Sequence, residues 1–425
     1  MLSVLTRTKV KIVRYIDTIM SKTNTNDSTL PQSTTNAQSS RVLLNVEDYH
    51  QVAKEKLSKM AYDYYRSGAD DQITLQENID AFRRIKLRPK VFVDVSHHGT
   101  DPNSCSVTLL NGQTKCSFPV LIAPTAMHRM ADEGGERSTA RAAVRANTVM
   151  ILSTLSTTRI EDVALEHQQA LKEYPTSTSQ LWFQLYILKD RQFTARMVER
   201  AEKAGCRALV LTVDACRFGN RESDHRNGFR LPENMQLENL YDAGLKQAQG
   251  DHVSALNDYI ARNLDASLTW SDIKWLRQIS RLPIIVKGIM TSEDVVLAVQ
   301  AGVDGIVVSN HGARQVDTTL STIEVLPEIV AAVRGMQNKK KIDIYIDGGI
   351  RRGTDVLKAI ALGADAVLIG RPVLWGLAAG GSQGVVDVLE VLRREFKLAM
   401  MLCGCTSLPN NKTSSSLITI PKSKL

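Results

Sequence analysis

The chain has 425 residues, of which 43% are hydrophobic and 23% are charged, a composition that excludes collagen-like, wholly disordered and disulfide-scaffold classes. The formal net charge is +8, but most of the excess lies in residues 1–40 and 404–425. Because the segment between these ends is nearly neutral, a nucleic-acid partner is disfavoured.

Two short segments precede the part of the chain with globular character. Residues 1–20 alternate apolar and basic side chains, which is typical either of an amphipathic mitochondrial targeting segment or of an irregular N-terminus. Residues 21–40 are mostly Ser, Thr, Asn and Gln, with too little apolar area to offset the entropy of ordering, so we predict a disordered linker. No run of 18 apolar residues occurs in the chain, so we expect no membrane-spanning helix and no membrane partner.

From residue 119 onward, short apolar runs rich in β-branched residues alternate with amphipathic helical stretches. Such alternation predicts a parallel sheet covered by helices, and eight units close a TIM (β/α)8 barrel. We therefore predict a single α/β barrel domain. The predicted strands are 119–124, 148–153, 181–186, 208–214, 283–288, 305–310, 343–349 and 366–372. The predicted helical stretches are 135–146, 191–204, 292–301, 320–335 and 353–362.

The fourth unit is longer than the others. About 55 residues rich in charge and Asn separate Asp214 from the next helical stretch near 270–280, and an insertion of that length is usually functional or mobile. A loop that follows a barrel strand lies over the catalytic face, so the segment is either a lid or a surface excursion.

Polar residues stand at the carboxyl ends of the predicted strands, where barrel active sites assemble. Each one alone fits an ordinary turn residue, but together they indicate one converging site. These residues are Thr125, Ser153, Gln184, Tyr186, Thr212, Asp214, Lys287, Ser309, Arg314, Asp347, Arg351, Gly370 and Arg371.

Glycine turns after strands seven and eight, each close to an arginine, predict a phosphate site. The chain has no Walker A motif and no G-x-G-x-x-G after its first strand, so a phosphorylated cofactor in the barrel mouth is favoured over ATP or a Rossmann-bound dinucleotide. Its six cysteines lack zinc-ribbon and C-x-x-C spacing, so we expect reduced thiols and no metal site.

The stretch from Ser309 to Gln315 places an imidazole and a guanidinium three residues apart. His311 is suited to be a general base and Arg314 to bind a carboxylate, although a lone histidine is more often a satisfied core or loop residue. Asp214 ends predicted strand four, which shares even-strand parity with the strand before His311, so we expect its carboxylate to orient the ring. Lys287 would either compensate negative charge on a reduced ring system or form a lid salt bridge, and Arg221 is a second candidate for carboxylate binding.

A series of motifs follows in order: MAYDYYRSGADDQ, RPKVFVDV, IAPTAM, FQLY, LTVD, PIIVKG, SNHGARQ, DGGIRRGTD and IGRP. With these motifs the chain resembles the FMN-dependent 2-hydroxy-acid oxidase family, which includes glycolate oxidase and longer-chain hydroxyacid oxidases, over about residues 45–405. The resemblance implies a barrel domain over residues 45–405, with an N-terminal extension (1–44) and a C-terminal tail (406–425). The resemblance implies that FMN contacts Pro124, Thr125, Ala126, Ser153, Gln184, Thr212, Lys287 and Ser309. It implies that the FMN phosphate is held by Asp347, Gly348, Gly349, Ile350, Arg351, Gly370 and Arg371.

The resemblance also implies roles on the substrate side. Arg221 and Arg314 would pair with the substrate carboxylate, and Tyr64 and Tyr186 would form hydrogen bonds beside it, with Tyr186 also part of the catalytic set. His311, oriented by Asp214, would remove either the hydroxyl proton while the α-hydrogen leaves as hydride, or the α-proton itself. Where glycolate oxidases carry Trp, this chain has Leu155, which predicts a roomier pocket for medium or long-chain (S)-2-hydroxy acids.

Oxygen is the expected electron acceptor, because two other branches of the family do not fit. Flavocytochrome members need a haem domain before the barrel, for which residues 1–44 are too short. Membrane-bound members carry an apolar insertion after strand four, whereas residues 222–269 here are charged and polar. The products would be a 2-oxo acid and hydrogen peroxide. The sequence Ser423-Lys424-Leu425 predicts recognition by the peroxisomal import receptor, while the basic N-terminus favours mitochondria. The resemblance implies a homotetramer. Two competing hypotheses are a degenerate barrel kept as a binding or scaffold protein and an FMN barrel isomerase.

Overall fold

The computed structural model describes residues 41–101, 103–241, 262–336, 341–408 and 416–420. The predicted targeting segment, the predicted linker, the central part of the predicted lid and the Ser-Lys-Leu sequence lie outside these residues. The residues described from position 43 onward belong to one compact unit. Within the described ranges, no helix has both the length and the apolar character required to cross a bilayer.

Eight parallel strands close into a barrel in which each strand pairs with its neighbours in chain order and the last pairs with the first. Every predicted run forms one strand, which confirms the TIM barrel. Several strands end earlier than predicted, because the polar residues at their carboxyl ends turn away into the loops of the barrel mouth. The strands are β1 Val120–Ile122, β2 Val149–Leu152, β3 Gln180–Leu185, β4 Leu209–Thr212, β5 Ile284–Ile289, β6 Gly305–Val308, β7 Asp343–Ile346 and β8 Ala366–Ile369.

A helix follows each strand and packs its apolar face on the outside of the barrel. The helices are α1 Gly135–Arg145, α2 Ile160–Glu173, α3 Arg191–Ala204, α4 Asp272–Ile279, α5 Ser292–Gln300, α6 Thr322–Gly335, α7 Gly353–Leu362 and α8 Arg371–Leu402. Helix α6 begins two residues later than predicted, because Ser321 and Glu324 form a capping box that fixes its start. Helix α8 is interrupted at Gly380 and Gly381, whose backbone angles are not helical.

The barrel interior is filled with side chains and is not a channel. Alternate residues of the strands point inward and are fully buried, with the Trp182 and Tyr345 rings in an edge-to-face contact at 6.0 Å between centroids. The hairpin of Val107–Leu109 and Thr114–Cys116 packs Leu109 against this inner layer. Since the interior is closed, the functional cavity lies at the mouth, above the carboxyl ends of the strands.

In the described part of the chain, helices of eight or more residues that precede the barrel are Val46–Lys56, Lys59–Arg66 and Ile73–Arg84. The segment between the second and third crosses the mouth. There the amide of Ala69 donates to the carbonyl of Ala313 at 2.8 Å, and the amide of Asp70 donates to the carbonyl of Asn220 at 2.9 Å. The N-terminal region therefore joins the loops after β4 and β6. Shorter elements are Lys86–Leu87 paired with Ile418–Thr419, and helices His97–Thr100, Leu110–Gly112, His128–Met130, Glu222–Arg226 and Glu238–Tyr241.

Candidate active site

A cavity lies at the mouth of the barrel and is partly open to solvent; the space between its lining residues, open solvent included, is about 1160 Å³. All the predicted site residues except Asp214 and Ser309 line it. The lining comprises Tyr64, Pro124, Thr125, Ala126, Ser153, Leu155, Gln184, Tyr186, Thr212, Arg221, Lys287, His311, Arg314, Asp347, Gly348, Gly349, Ile350, Arg351, Gly370 and Arg371. Asp214 and Ser309 lie behind this wall, each hydrogen-bonded to a residue that lines it.

His311 lies between Asp214 and Tyr186. Its Nδ1 atom is 2.7 Å from Asp214 Oδ1, and its Nε2 atom is 3.5 Å from the Tyr186 hydroxyl. Burial raises the pKa of Asp214, but the charges of His311 and Lys287 outweigh that effect and bring the pKa below its ordinary value. Burial and the Asp214 charge both raise the pKa of Tyr186. The arrangement therefore presents a carboxylate behind the imidazole and a neutral phenol in front of it.

The turn over residues 309–315, here called the base turn, carries His311 in an unusual backbone conformation. His311, Gly312 and Ala313 all have left-handed φ angles, of 59°, 62° and 60°. Left-handed backbone at a residue with a side chain costs on the order of 1 kcal/mol and persists only when the surroundings hold it. Here the Gln315 side-chain amide donates from Nε2 to the Asp214 carbonyl at 2.6 Å, and the backbone amide of Ala69 donates to the Ala313 carbonyl. The base turn is thus held from two sides.

Two guanidinium groups lie against the ring of Tyr64. The Arg314 guanidinium carbon is 4.9 Å from the ring centroid and that of Arg221 is 5.6 Å from it. Arg314 also donates to the Tyr64 and Ser67 carbonyls, at 2.6 and 3.1 Å. Burial and the like charge of Arg221 lower the pKa of Arg314. An anion bound between these side chains would relieve this repulsion, so the pair suits a carboxylate.

The ammonium group of Lys287 is buried beneath the cavity. It donates to Ser309 Oγ at 2.8 Å and lies 3.4 Å from Asp347 Oδ2. Burial lowers the pKa of Lys287, but the charges of Asp347 and Asp214 outweigh that effect and raise it above the ordinary value. Lys287 therefore keeps a positive charge in a place where water cannot screen it.

The turn over residues 347–351, here called the phosphate turn, has the features of an anion site. Gly348 and Gly349 have φ angles of 92° and 79°, which a residue with a side chain rarely adopts. Burial lowers the pKa of Arg351 and also that of Arg371, whose neighbours Arg314 and Arg351 add like charge. Neither Arg351 nor Arg371 forms an ion pair with a carboxylate among the described residues.

The charged and polar groups of this cavity fit a flavin nucleotide. Two buried guanidinium groups beside a glycine turn suit a phosphate dianion. Asp347 Oδ1 is buried and has no hydrogen-bond partner in the described part of the chain, so it can accept a bond from a hydroxyl of the bound group. The cavity thus has the charge and acceptors that a ribityl phosphate requires.

Several lining residues were not predicted from the sequence. Phe218 meets the Tyr186 ring edge-on at 6.4 Å, and the Arg221 guanidinium carbon is 5.3 Å from the Phe218 ring centroid. Tyr65 donates from its hydroxyl to the Met127 carbonyl at 2.6 Å. The available signals were local: Phe218 stands three residues before Arg221, and Tyr65 follows Tyr64 directly.

Comparisons with known proteins agree with this geometry. Residues 53–418 match the family described as FMN-dependent dehydrogenase. The chain is 48% identical to a 2-hydroxyacid oxidase of Dictyostelium discoideum over 92% of this chain and 96% of that protein. It is 47% identical to the peroxisomal (S)-2-hydroxyacid oxidase GLO4 of Arabidopsis thaliana, covering 86% of this chain and 94% of that protein. The structure of a mandelate oxidase with (S)-4-hydroxymandelic acid superposes with a TM-score of 0.78 at 38% identity, covering 89% and 98% of the two chains.

Proposed function

The chain belongs to the FMN-dependent dehydrogenase family, and from this premise we propose that it is an (S)-2-hydroxy-acid oxidase. The reaction converts a 2-hydroxy acid and O2 to a 2-oxo acid and hydrogen peroxide. The cofactor of the family is FMN, and relatives that share almost half of the residues are named 2-hydroxyacid oxidase and glycolate oxidase. The family and the names of these relatives both support an FMN-dependent oxidoreductase that acts on 2-hydroxy acids. That oxygen is its electron acceptor is our proposal.

One observation carries the proposal: a base, its orienting carboxylate and two guanidinium groups face one cavity. His311 contacts Asp214 at 2.7 Å, while the guanidinium carbons of Arg221 and Arg314 lie 5.6 and 4.9 Å from the Tyr64 ring centroid. A base alone would serve many reactions, but paired guanidinium groups beside it select a substrate that carries a carboxylate. A barrel isomerase would have no need of this combination.

When bound, FMN would supply a two-electron acceptor for the oxidation. We propose that Pro124, Thr125, Ala126, Ser153, Gln184, Thr212, Lys287 and Ser309 hold its ring and ribityl chain. The phosphate turn, with Gly370 and Arg371, holds its phosphate. Lys287 supplies a fixed positive charge where negative charge develops on reduction.

The protein's own groups handle the proton. His311 Nε2 accepts a proton from the substrate, either from the hydroxyl or from the α-carbon, and Asp214 stabilises the resulting imidazolium through Nδ1. The neutral Tyr186 hydroxyl, 3.5 Å from Nε2, is placed to bond the substrate oxygen next to the base. Arg221 and Arg314 fix the carboxylate so that the carbon to be oxidised stays beside the base.

The preferred substrates in this proposal are medium or long-chain 2-hydroxy acids. Leu155 lines the cavity where glycolate oxidases have a larger Trp, so more apolar volume is left for a side chain. Each additional buried methylene contributes about 0.8 kcal/mol to binding. The alternative is a glycolate oxidase, or a dehydrogenase that passes electrons to an acceptor other than oxygen.

We further propose a peroxisomal homotetramer with the domain division predicted above. A relative from Arabidopsis thaliana is named a peroxisomal oxidase, and catalase-containing peroxisomes suit a source of hydrogen peroxide. The alternative location is the mitochondrion, through the basic N-terminal segment. Imaging of the full chain, and of a chain lacking Ser423 to Leu425, tests which location applies.

The direct test measures peroxide release by the purified holoprotein with 2-hydroxy acids from glycolate to 2-hydroxypalmitate. We expect activity to rise with chain length and to be lost in His311→Ala. A preference for glycolate would contradict the substrate proposal alone. Flavin-loaded protein that is inert with every acid under oxygen, yet reduces an artificial dye, would identify a dehydrogenase. Flavin-free protein would favour a binding or scaffold role.

A further inference from the structure

A buried asparagine on an N-terminal helix lies between the base turn and the phosphate turn. Asn78, on the helix Ile73–Arg84, is only 2% exposed, and its partner Asn310 on the base turn is 7% exposed. Neither side chain lines the cavity. Buried amides are costly unless each polar atom is bonded, so their placement calls for a physical explanation.

The two side-chain amides bond each other reciprocally. Asn78 Nδ2 donates to Asn310 Oδ1 at 2.9 Å, and Asn310 Nδ2 donates to Asn78 Oδ1 at 2.8 Å. Backbone donors fix which atom is oxygen, since the Ala313 amide donates to Asn310 Oδ1 at 3.1 Å and the Thr322 amide to Asn78 Oδ1 at 3.4 Å. The pair therefore has one orientation, and rotation of either amide would break bonds on both sides.

Asn78 also packs against the phosphate turn without a gap. A Cβ atom added at Gly349 would lie 1.8 Å from the Asn78 carbonyl oxygen, and one at Gly348 would lie 3.3 Å from Asn78 Nδ2. Thr322, bonded to Asn78 through its amide, donates from its hydroxyl to the Asp347 carbonyl at 2.6 Å. Movement of the phosphate turn is thus transmitted to Asn78 by direct contact.

On the other side, Asn310 immediately precedes His311 and holds the strained part of the base turn. Its side-chain oxygen and its carbonyl both accept from the Ala313 amide, at 3.1 and 3.0 Å. The helix that carries Asn78 is itself fixed, because Asp317 accepts from the amides of Ile73 and Thr74 at 3.1 and 2.8 Å. Asn78 therefore lies on a helix whose first residues are hydrogen-bonded to the loop after β6, the loop that also contains the base turn.

From these contacts we propose that Asn78 and Asn310 are positioning residues that couple the phosphate turn to the base turn. Binding of FMN then orders the base turn, which carries His311, and a disturbance of the base turn lowers the affinity for FMN. The inference rests on the assignment of residues 347–351 to the FMN phosphate. It does not depend on the substrate or on the electron acceptor.

The test substitutes each residue and reads the effect on the opposite turn. Asn310→Asp keeps the side-chain oxygen and the carbonyl that accept from the Ala313 amide, but it loses the Nδ2 donor to Asn78. Residue 310 itself forms no hydrogen bond with the phosphate turn. We expect it to raise the dissociation constant for FMN by on the order of tenfold, measured by quenching of flavin fluorescence on binding to apoprotein. In Asn78→Asp, hydrogen exchange of residues 309–315 should no longer slow when saturating FMN is added, whereas it slows in the unaltered protein.

Thr322→Val is the matched control. It removes the hydroxyl bond to the Asp347 carbonyl but leaves both asparagines and the Thr322 amide in place. This variant should bind FMN less tightly. Saturating FMN should nevertheless still slow the hydrogen exchange of residues 309–315. Asn310→Asp with unchanged FMN affinity, or Asn78→Asp with full protection of the base turn, would overturn the proposal. If a buried carboxylate prevents folding, Asn78→Ser and Asn310→Ser provide the same two readings without added charge, and neither reading requires turnover.

Discussion

Gly288 on β5 leaves the space into which Asp214 packs. A Cβ atom at this position would lie 2.6 Å from Asp214 Cβ and 2.8 Å from Asp214 Cγ, and the backbone φ angle is +116°. Gly288→Ala should therefore displace Asp214 from its position beside His311 while leaving the chemistry of every site residue unaltered. The substitution tests whether the position of this carboxylate, and not only its presence, matters for turnover.

The expected effect follows from the distances. Carbon atoms in ordinary contact are about 3.5–4.0 Å apart, so Asp214 must move by about 1 Å. A displacement of that size at a catalytic group costs on the order of 10²-fold in rate, equivalent to about 3 kcal/mol in the activation free energy. Backbone strain adds about 1–3 kcal/mol to the free energy of folding, which is a separate effect on stability.

Gly302→Ala separates the two effects. Gly302 also has a positive φ angle, of +80°, but a Cβ atom there would meet no atom within 4 Å. Both variants should lower the melting temperature, whereas only Gly288→Ala should slow anaerobic bleaching of bound FMN by a 2-hydroxy acid. The reasoning would be refuted if Gly288→Ala were folded, FMN-loaded and as fast as Gly302→Ala.

Three further predictions concern the pocket, the cofactor charge and stability. Leu155→Trp should fill apolar volume and lower kcat/KM for 2-hydroxyoctanoate relative to glycolate by about tenfold or more; an unchanged ratio would remove the basis for the chain-length proposal. Lys287→Met should lower the midpoint potential of bound FMN by about 30–60 mV in spectroelectrochemical titration, because the charge-assisted contact is worth about 1.5–3 kcal/mol; an unaltered potential would contradict its electrostatic role. Burial lowers the pKa of His167 from 6.5 to about 4, so the unfolded chain takes up a proton first as the pH falls through 6.5. The wild-type free energy of unfolding should thus decrease by about 3 kcal/mol more than that of His167→Gln between pH 7 and pH 4 in urea titrations, and parallel curves would show that this histidine is not buried as a neutral ring.

Much of the barrel and its mouth could be predicted from the sequence because the signals are local. A parallel strand covered on both faces reads as a continuous apolar run, and the eight runs occur in the order in which the strands pair. Polar residues that end such runs must meet at one edge, since all the strands point the same way. That reasoning predicted one site for Lys287, which lies on β5, and for His311 and Arg314, which follow β6. All three line the same cavity.

Only the tertiary structure decided how these groups are held. No local pattern indicates that His311 adopts a left-handed conformation, that Gly288 makes room for Asp214, or that Asn78 bonds Asn310, 232 positions away. Each of these features depends on an approach between distant segments, and the energy that maintains it comes from the partner and not from the residue's own propensity. The residue types at the barrel mouth were thus determined by the sequence alone, whereas their conformation and mutual support were determined by packing.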